Sequence, residues 1–166
     1  MIRVAIVTIS DGVAAGTRED RSSAELARQS AELGWRVEDQ RVVADEVQGI
    51  SSLLTALVAS HAIDVILTTG GTGLGPRDVT PEAVRAIADR EVPGFGELMR
   101  SEGAKHTLRA ALSRSGAYTR GEVLILTFPG SPKGALESLE AVAALIPHAV
   151  DLLHGRTEHH AKPTKE

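Results

Sequence analysis

The chain has 166 residues, a formal net charge of −4 and no cysteine, so disulfides, thiolate metal sites and cysteine nucleophiles are excluded. The acidic balance argues against nucleic acid as the main partner, although it leaves room for a local basic pocket. Hydrophobic residues make up 42% and charged residues 24%, the mix of one soluble globular domain, and only 2% aromatics means an aliphatic core.

Met1-Ile2-Arg3-Val4 runs straight into a strand-like segment and lacks the pattern of a signal peptide. No run reaches the ~18 apolar residues of a membrane span, and the expected location is the cytoplasm. Ile2 to Ile9 is apolar apart from Arg3 and Thr8, as in a strand covered on both faces. Ser10-Asp11-Gly12 ends it. A loop with Gly16 and Asp20 leads to Ser22-x-x-Glu25, which predicts a capping box, and Gly34 stands at the far end of the helix. Trp35 to Val43 reads as a second strand, with Trp35 as a packing residue, closed by Ala44-Asp45-Glu46. Ile50, Leu53, Leu54, Leu57 and Val58 recur at helical spacing.

Ile63 to Leu67 reads as a buried strand, and a glycine-rich turn follows: Thr68-Thr69-Gly70-Gly71-Thr72-Gly73-Leu74-Gly75. Thr80 is placed to cap the next helix and Pro81 to open it. Four glycines with free N–H groups at a strand-to-helix join suit an anion. The turn lacks the lysine of a P-loop, and Pro76 breaks the dinucleotide fingerprint. Asp78, between turn and helix, can hold a cation beside phosphates.

Arg90 to Gly96 interrupts the helix, and Glu97–Arg100 and Thr107–Leu112 look helical. Ser113-Arg114-Ser115-Gly116 is polar and lacks an apolar period. Glu122 to Phe128 is another buried strand, and Pro129-Gly130-Ser131-Pro132 is a forced turn. Leu136, Leu139, Val142, Ala143 and Ile146 share one helical face, and a short helix runs from Pro147 to about Leu153. The tail beyond is polar; its His154, His159 and His160 read as solvated rather than as metal ligands. Strands alternating with helices predict an α/β fold with a mainly parallel sheet between helical layers. Ligands of such sheets bind beyond the strand carboxyl ends, where Ser10-Asp11, Asp45, the glycine turn and Pro129–Pro132 should gather.

Taken together, Thr68-Thr69-Gly70-Gly71-Thr72-Gly73 and Arg77-Asp78-Val79-Thr80-Pro81-Glu82-Ala83 resemble the molybdopterin adenylyltransferase family of molybdenum-cofactor biosynthesis, which includes the MogA-like and MoaB-like proteins and the gephyrin G domain. Ser10-Asp11, Asp45 (with Ala44 where the family has proline), Pro93-Gly94-Phe95-x-Glu97-x-Met99-Arg100, Leu112-Ser113-Arg114 and Pro129-Gly130-Ser131-Pro132 also match. The resemblance covers roughly residues 1–155 as one domain, leaving 156–166 as a tail. It implies a three-layer α/β/α fold with a mixed five-stranded sheet carrying one antiparallel edge strand. It further implies adenylylation of molybdopterin by ATP with Mg²⁺, releasing pyrophosphate.

On that resemblance Asp45 and Asp78 are the catalytic carboxylates, which hold Mg²⁺ or orient the attacking terminal phosphate of the pterin. Ser10, Asp11, Gly70, Gly71, Thr72, Gly73, Ser113, Arg114, Pro129, Gly130, Ser131 and Pro132 bind substrate or nucleotide. Lys133 is a further candidate for the pterin phosphate, and Arg100 is expected to brace Glu97 or a neighbouring loop. A homo-oligomer is implied, a trimer or alternatively a hexamer, with the molybdenum-insertion protein as a possible partner. The competing readings are a non-catalytic molybdopterin-binding scaffold of the same family, and a nucleotide pyrophosphatase.

Overall fold

The computed structural model describes residues 1–156. Strands β1 (Arg3–Ile9), β2 (Arg36–Val43), β3 (Val65–Thr69), β4 (Arg90–Glu91), β5 (Gly116–Arg120) and β6 (Val123–Phe128) form one sheet in the order β2-β1-β3-β6-β5-β4. The sheet has six strands where five were expected, because β4 adds two residues at the edge. β1, β2, β3 and β6 are mutually parallel, and β5 runs antiparallel to both neighbours. The implied antiparallel strand is therefore present, but β4 covers its outer side.

Helices α1 (Asp11–Ala14), α2 (Arg21–Glu32), α3 (Val47–Ala59), α4 (Thr80–Arg85), α5 (Pro93–Ala104), α6 (Pro132–Val142) and α7 (Ile146–Leu153) connect the strands, with short 3₁₀ turns at Leu108–Leu112 and Ala143–Leu145. Alternate residues of the central strands face opposite layers, as the two-residue period of a strand requires. Val4, Val65 and Leu124, side by side in register, pack with Leu26, Phe95, Leu139 and Ile146 beneath α2, α5, α6 and α7. Ala5, Ile66 and Ile125 pack with Ile50, Leu54 and Val84 beneath α3 and α4. The result is the expected three-layer α/β/α fold. Trp35 lies in the first of these cores, 8% exposed, as a packing residue.

Several local expectations are revised. Helix α2 starts before the capping box: Asp20 is its N-cap and accepts from the Ser23 N–H at 3.0 Å. Ser22 is inside the helix, and its hydroxyl donates across to the Gly130 carbonyl at 2.8 Å. Thr80 is not a cap either. Its hydroxyl is buried and donates to the Gly70 carbonyl at 2.8 Å, while Val79 takes the cap position with no side-chain bond. Strand β5 falls in a stretch without a read-out element, joined to β6 by the two residues Gly121-Glu122, with Gly121 at φ +55°. His159 and His160 lie outside the described residues. His154 closes α7 and sits 3.6 Å from Asp64, at the start of β3 and so at the opposite end of the sheet from the glycine turn.

Candidate functional site

The winding of the sheet reverses between β1 and β3: the chain leaves β1 toward β2 on one side and leaves β3 toward β4, β5 and β6 on the other. Loops leaving β1 and β3 therefore diverge and open a crevice at their carboxyl ends. A cavity of about 850 Å³ lies there, bordered by Ser10, Asp45, Gly70–Gly73, Asp78, Ser113, Pro129 and Gly130. Separate segments thus converge on the edge where they were expected.

The glycine turn is built for close approach. Gly70 has φ +106°, and a Cβ there would collide with the Ile9 carbonyl oxygen. Gly71 has φ +65°, and its Cβ would collide with the Thr80 hydroxyl and stand 3.2 Å from Asp45 Oδ1. Both positions demand glycine. The Gly70 N–H is already given to the Phe128 carbonyl at 3.1 Å, so Gly70 shapes the turn and is not a free donor. No acceptor among the described residues takes the N–H groups of Gly71, Thr72 or Gly73; these are the donors the turn offers. Thr69 fastens the turn to the neighbouring loop, its hydroxyl donating to the Pro129 carbonyl at 2.7 Å.

The carboxylates flank this backbone. Asp45 Oδ2 accepts the Asp11 N–H at 2.8 Å, and Asp11 Oδ1 accepts the Asp45 N–H at 3.0 Å. Arg77 then forks onto Asp11, with Nε and Nη2 each 3.0 Å from its oxygens. Burial pushes the Asp45 carboxyl above its ordinary value; the Asp11 N–H opposes this, and the negative charges of Asp11 and Asp78 add to it. The Arg77 guanidinium, with the Asp45 N–H, holds the Asp11 carboxyl below its ordinary value. Asp78 Oδ2 accepts the Gly75 N–H at 2.8 Å, and a Cβ on Gly73 would come within 2.7 Å of the same oxygen.

Asp45 and Asp78 both border the cavity, but Asp11 does not; it stands behind Asp45 as its partner. Arg114 is also outside the cavity wall. Its N–H donates to the Thr72 carbonyl at 2.8 Å, its Nε to the Gly73 carbonyl at 2.9 Å and its Nη2 to the Asp78 carbonyl at 2.6 Å, and it pairs with Glu82. It braces the glycine turn from outside. Ser131 turns away to cap α6, accepting from the Gly134 N–H at 3.2 Å, and borders a second cavity of about 200 Å³. Pro132 borders the main cavity. Lys133 borders neither and faces Glu137 at 3.7 Å. Arg100 braces the 113–115 loop, not Glu97, donating to the Ser115 carbonyl at 2.8 Å.

Three arginines on the cavity wall, Arg18, Arg21 and Arg109, were not anticipated. The Arg18-Glu19-Asp20-Arg21 run, in a loop leaving β1 at the ligand edge, was the available signal for the first two. Nothing in the 3₁₀ turn marked Arg109. Among the described residues no three His, Asp or Glu side chains converge as a ready-made cation shell. Asp45 and Asp78 still fit Mg²⁺, which is held by one or two carboxylates together with substrate phosphates.

Residues 5–148 match the family described as a probable molybdopterin binding domain. The molybdopterin adenylyltransferase of Escherichia coli K12 is 38% identical over 168 residues, covering 93% of this chain and 86% of that protein. The protein of the same name in Helicobacter pylori is 38% identical over 156 residues, covering 93% and 89%. The crystal structure of the molybdopterin biosynthesis enzyme MoaB from Thermus thermophilus superposes with a TM-score of 0.88 at 47% identity, covering 99% of this chain and 100% of that one. The Mog protein of Mycobacterium ulcerans gives 0.86 at 30%, covering 92% and 99%. With the glycine turn, its two carboxylates and the fold all in place, the chain belongs to the molybdopterin-binding domain family of molybdenum-cofactor biosynthesis.

Proposed function

We infer that this chain is a molybdopterin adenylyltransferase, which joins the adenylyl group of ATP to the terminal phosphate of molybdopterin and releases pyrophosphate. The observation that carries the reading is the pairing of free backbone donors at Gly71, Thr72 and Gly73 with the Asp45 and Asp78 carboxylates on one cavity wall. In the reaction a pterin phosphate oxygen bonds to the α-phosphorus of ATP. The bond from that phosphorus to the bridging oxygen breaks, and the electron pair leaves with pyrophosphate. Such a transfer needs positioning and charge stabilisation, not a covalent nucleophile, and the site offers donors and carboxylates. We propose that Asp45 and Asp78 hold Mg²⁺, which would neutralise phosphate charge when bound. Charged Asp45 is disfavoured by its burial, and a cation beside it would relieve that cost. The turn's N–H groups take phosphate oxygens, while Ser10, Ser113 and Gly130 line the remaining wall. Asp11 and Arg114 act one step back, on Asp45 and on the turn.

The scaffold reading loses ground because both carboxylates are present and because the curated relatives are named for the transfer. Calorimetric titration with molybdopterin and with Mg-ATP, followed by a pyrophosphate-release assay, tests the assignment. Release that depends on both substrates is the expected result; pterin binding without release from Mg-ATP would return the chain to the scaffold class. We further propose that residues 1–155 act as one domain in the cytoplasm and assemble as a homo-oligomer, a trimer first and a hexamer second. The molybdenum-insertion protein is the proposed recipient of the product. No helix among the described residues is long and apolar enough to cross a membrane. Light scattering that shows a monomer at micromolar concentration would overturn the assembly.

A further inference from the structure

The cavity wall carries Glu19, Asp20, Asp45 and Asp78, yet the proposed substrates are polyanions. Something must offset that charge, and the arginines are not equivalent in their ability to do so. Arg21 is engaged with Glu19 at 2.8 Å. Arg77 is held by Asp11, and Arg114 by Glu82 and two carbonyls. Arg18 and Arg109 make no side-chain hydrogen bond or ion pair to any described residue, and both border the main cavity. They come from unrelated segments, Arg18 from the loop before α2 and Arg109 from the 3₁₀ turn Leu108–Leu112. Arg109 also borders the second cavity and so stands on the wall between the two. Both residues are exposed while bordering the cavity, which puts them at its open edge.

We propose that Arg18 and Arg109, from two separate segments of the cavity wall, are positioning residues that grip the leaving β- and γ-phosphates of the nucleotide. The proposal rests on the adenylyl-transfer reading and says which end of ATP points outward. The transferred phosphorus sits at the floor, against Gly71–Gly73, Asp45 and Asp78. The two phosphates beyond it carry most of the charge and reach the rim. A guanidinium is always charged and forks onto phosphate oxygens, so two of them can hold the leaving group without a proton transfer. When the bond from the α-phosphorus to the bridging oxygen breaks, the electron pair goes to pyrophosphate. Its gain in charge is met by cations already in place.

The test measures equilibrium binding of Mg-ATP, AMP, inorganic pyrophosphate and molybdopterin to the wild type and to the R18Q, R109Q, R18K and R109K variants. Each Gln variant should bind pyrophosphate and Mg-ATP about tenfold more weakly, or worse, the scale of a lost charge-assisted bond. AMP and molybdopterin affinities should stay within about twofold, and the Lys variants, which keep the charge but not the fork, should recover only part of the loss. Unchanged pyrophosphate affinity in both Gln variants overturns the proposal. So does an equal loss for AMP, which would mark a general effect on the site, or a loss for molybdopterin alone, which would assign the arginines to the pterin phosphate. A wild type that binds pterin but no nucleotide or pyrophosphate would overturn the adenylyl-transfer reading itself. Binding and turnover in the wild type, with no selective loss in the variants, would sink only the role of the two arginines.

Discussion

Asp11 and Asp45 each accept the other's backbone N–H, at 3.0 and 2.8 Å, but their carboxyls are shifted in opposite directions from the ordinary value. Burial raises Asp45, whereas the fork of Arg77 is committed to Asp11 and lowers it. Asp11 thereby becomes a clamp that is ionised by its partner. Asp45 is left half-buried and without a cation of its own, next to the bare turn. The pair ties the end of β1 to the end of β2, and Arg77 ties both to the glycine loop.

The sign of each shift gives the first prediction. A carboxylate whose folded pKa is raised binds its proton more tightly in the fold than in the unfolded chain, so its contribution to stability is lost as pH rises through the folded pKa. Asp45 is such a group, and D45N should melt at or slightly above the wild-type temperature at neutral pH. The amide oxygen can still accept the Asp11 N–H, while adenylyl transfer falls sharply. Asp11 is the reverse: its stabilising charge is present at neutral pH and is lost as pH falls through its depressed value. Melts of both Asn variants from pH 3 to 8, with carboxyl-resolved NMR titrations, check the assignment. A D45N that is destabilised at neutral pH, or an Asp45 that titrates below Asp11, would contradict it.

Thr80 gives a prediction that separates a tether from a cap. The tether requires a donor to the buried Gly70 carbonyl, 2.8 Å away, whereas a cap requires only an acceptor. T80S keeps the donor and should be close to wild type. T80D would be an excellent cap but cannot donate when ionised. It should lose about 1–3 kcal/mol, the cost of leaving a buried polar group unpaired, read as a drop in thermal midpoint. Equal stability of T80S and T80D would restore the cap.

Much of this was legible in the sequence, and the gaps have physical causes. The apolar runs of β1, β3 and β6 are buried on both faces and so read plainly as parallel strands. The glycines, Asp45 and Asp78 could be placed at one edge because each follows the end of a strand. Strand β5 was missed because only Ala117 and Tyr118 are apolar in it, and because its stability comes from pairing with β6. Gly121-Glu122 was a usable two-residue hairpin signal, glycine first. Ser22 and Thr80 were misread for one reason: a hydroxyl near a helix start serves equally well as a long-range donor, and spacing alone does not choose. Arg114 is assigned to substrate on the family resemblance; its side chain spans the Gly73 and Asp78 carbonyls of the turn and the Glu82 carboxylate of α4.

That brace yields the next prediction. R114A should loosen the glycine turn as a whole, so molybdopterin and Mg-ATP affinities should fall together and the midpoint should drop by several degrees. Lysine cannot reproduce a planar fork, so R114K should rescue little. If R114A weakened molybdopterin alone at unchanged stability, Arg114 would contact the pterin directly.

The last prediction concerns Asp78, which has both a turn bond and a proposed catalytic charge. Its Oδ2 accepts the Gly75 N–H, and its backbone carbonyl accepts from Arg114. Asn at this position keeps an acceptor for Gly75 and the same backbone, and it removes only the charge. D78N should therefore melt within a few degrees of wild type, since changes outside core and caps usually cost within ~0.5 kcal/mol, and pterin binding should persist. D78A, which also deletes the acceptor for Gly75, should lose further stability. Both should transfer AMP at least ~100-fold more slowly, about 2.7 kcal/mol of transition-state stabilisation and comparable to removing one preorganised electrostatic contact. The comparison of the two variants separates the roles: a D78N that transfers AMP at the wild-type rate while D78A does not would make Asp78 a turn residue and leave Asp45 as the single carboxylate of the site.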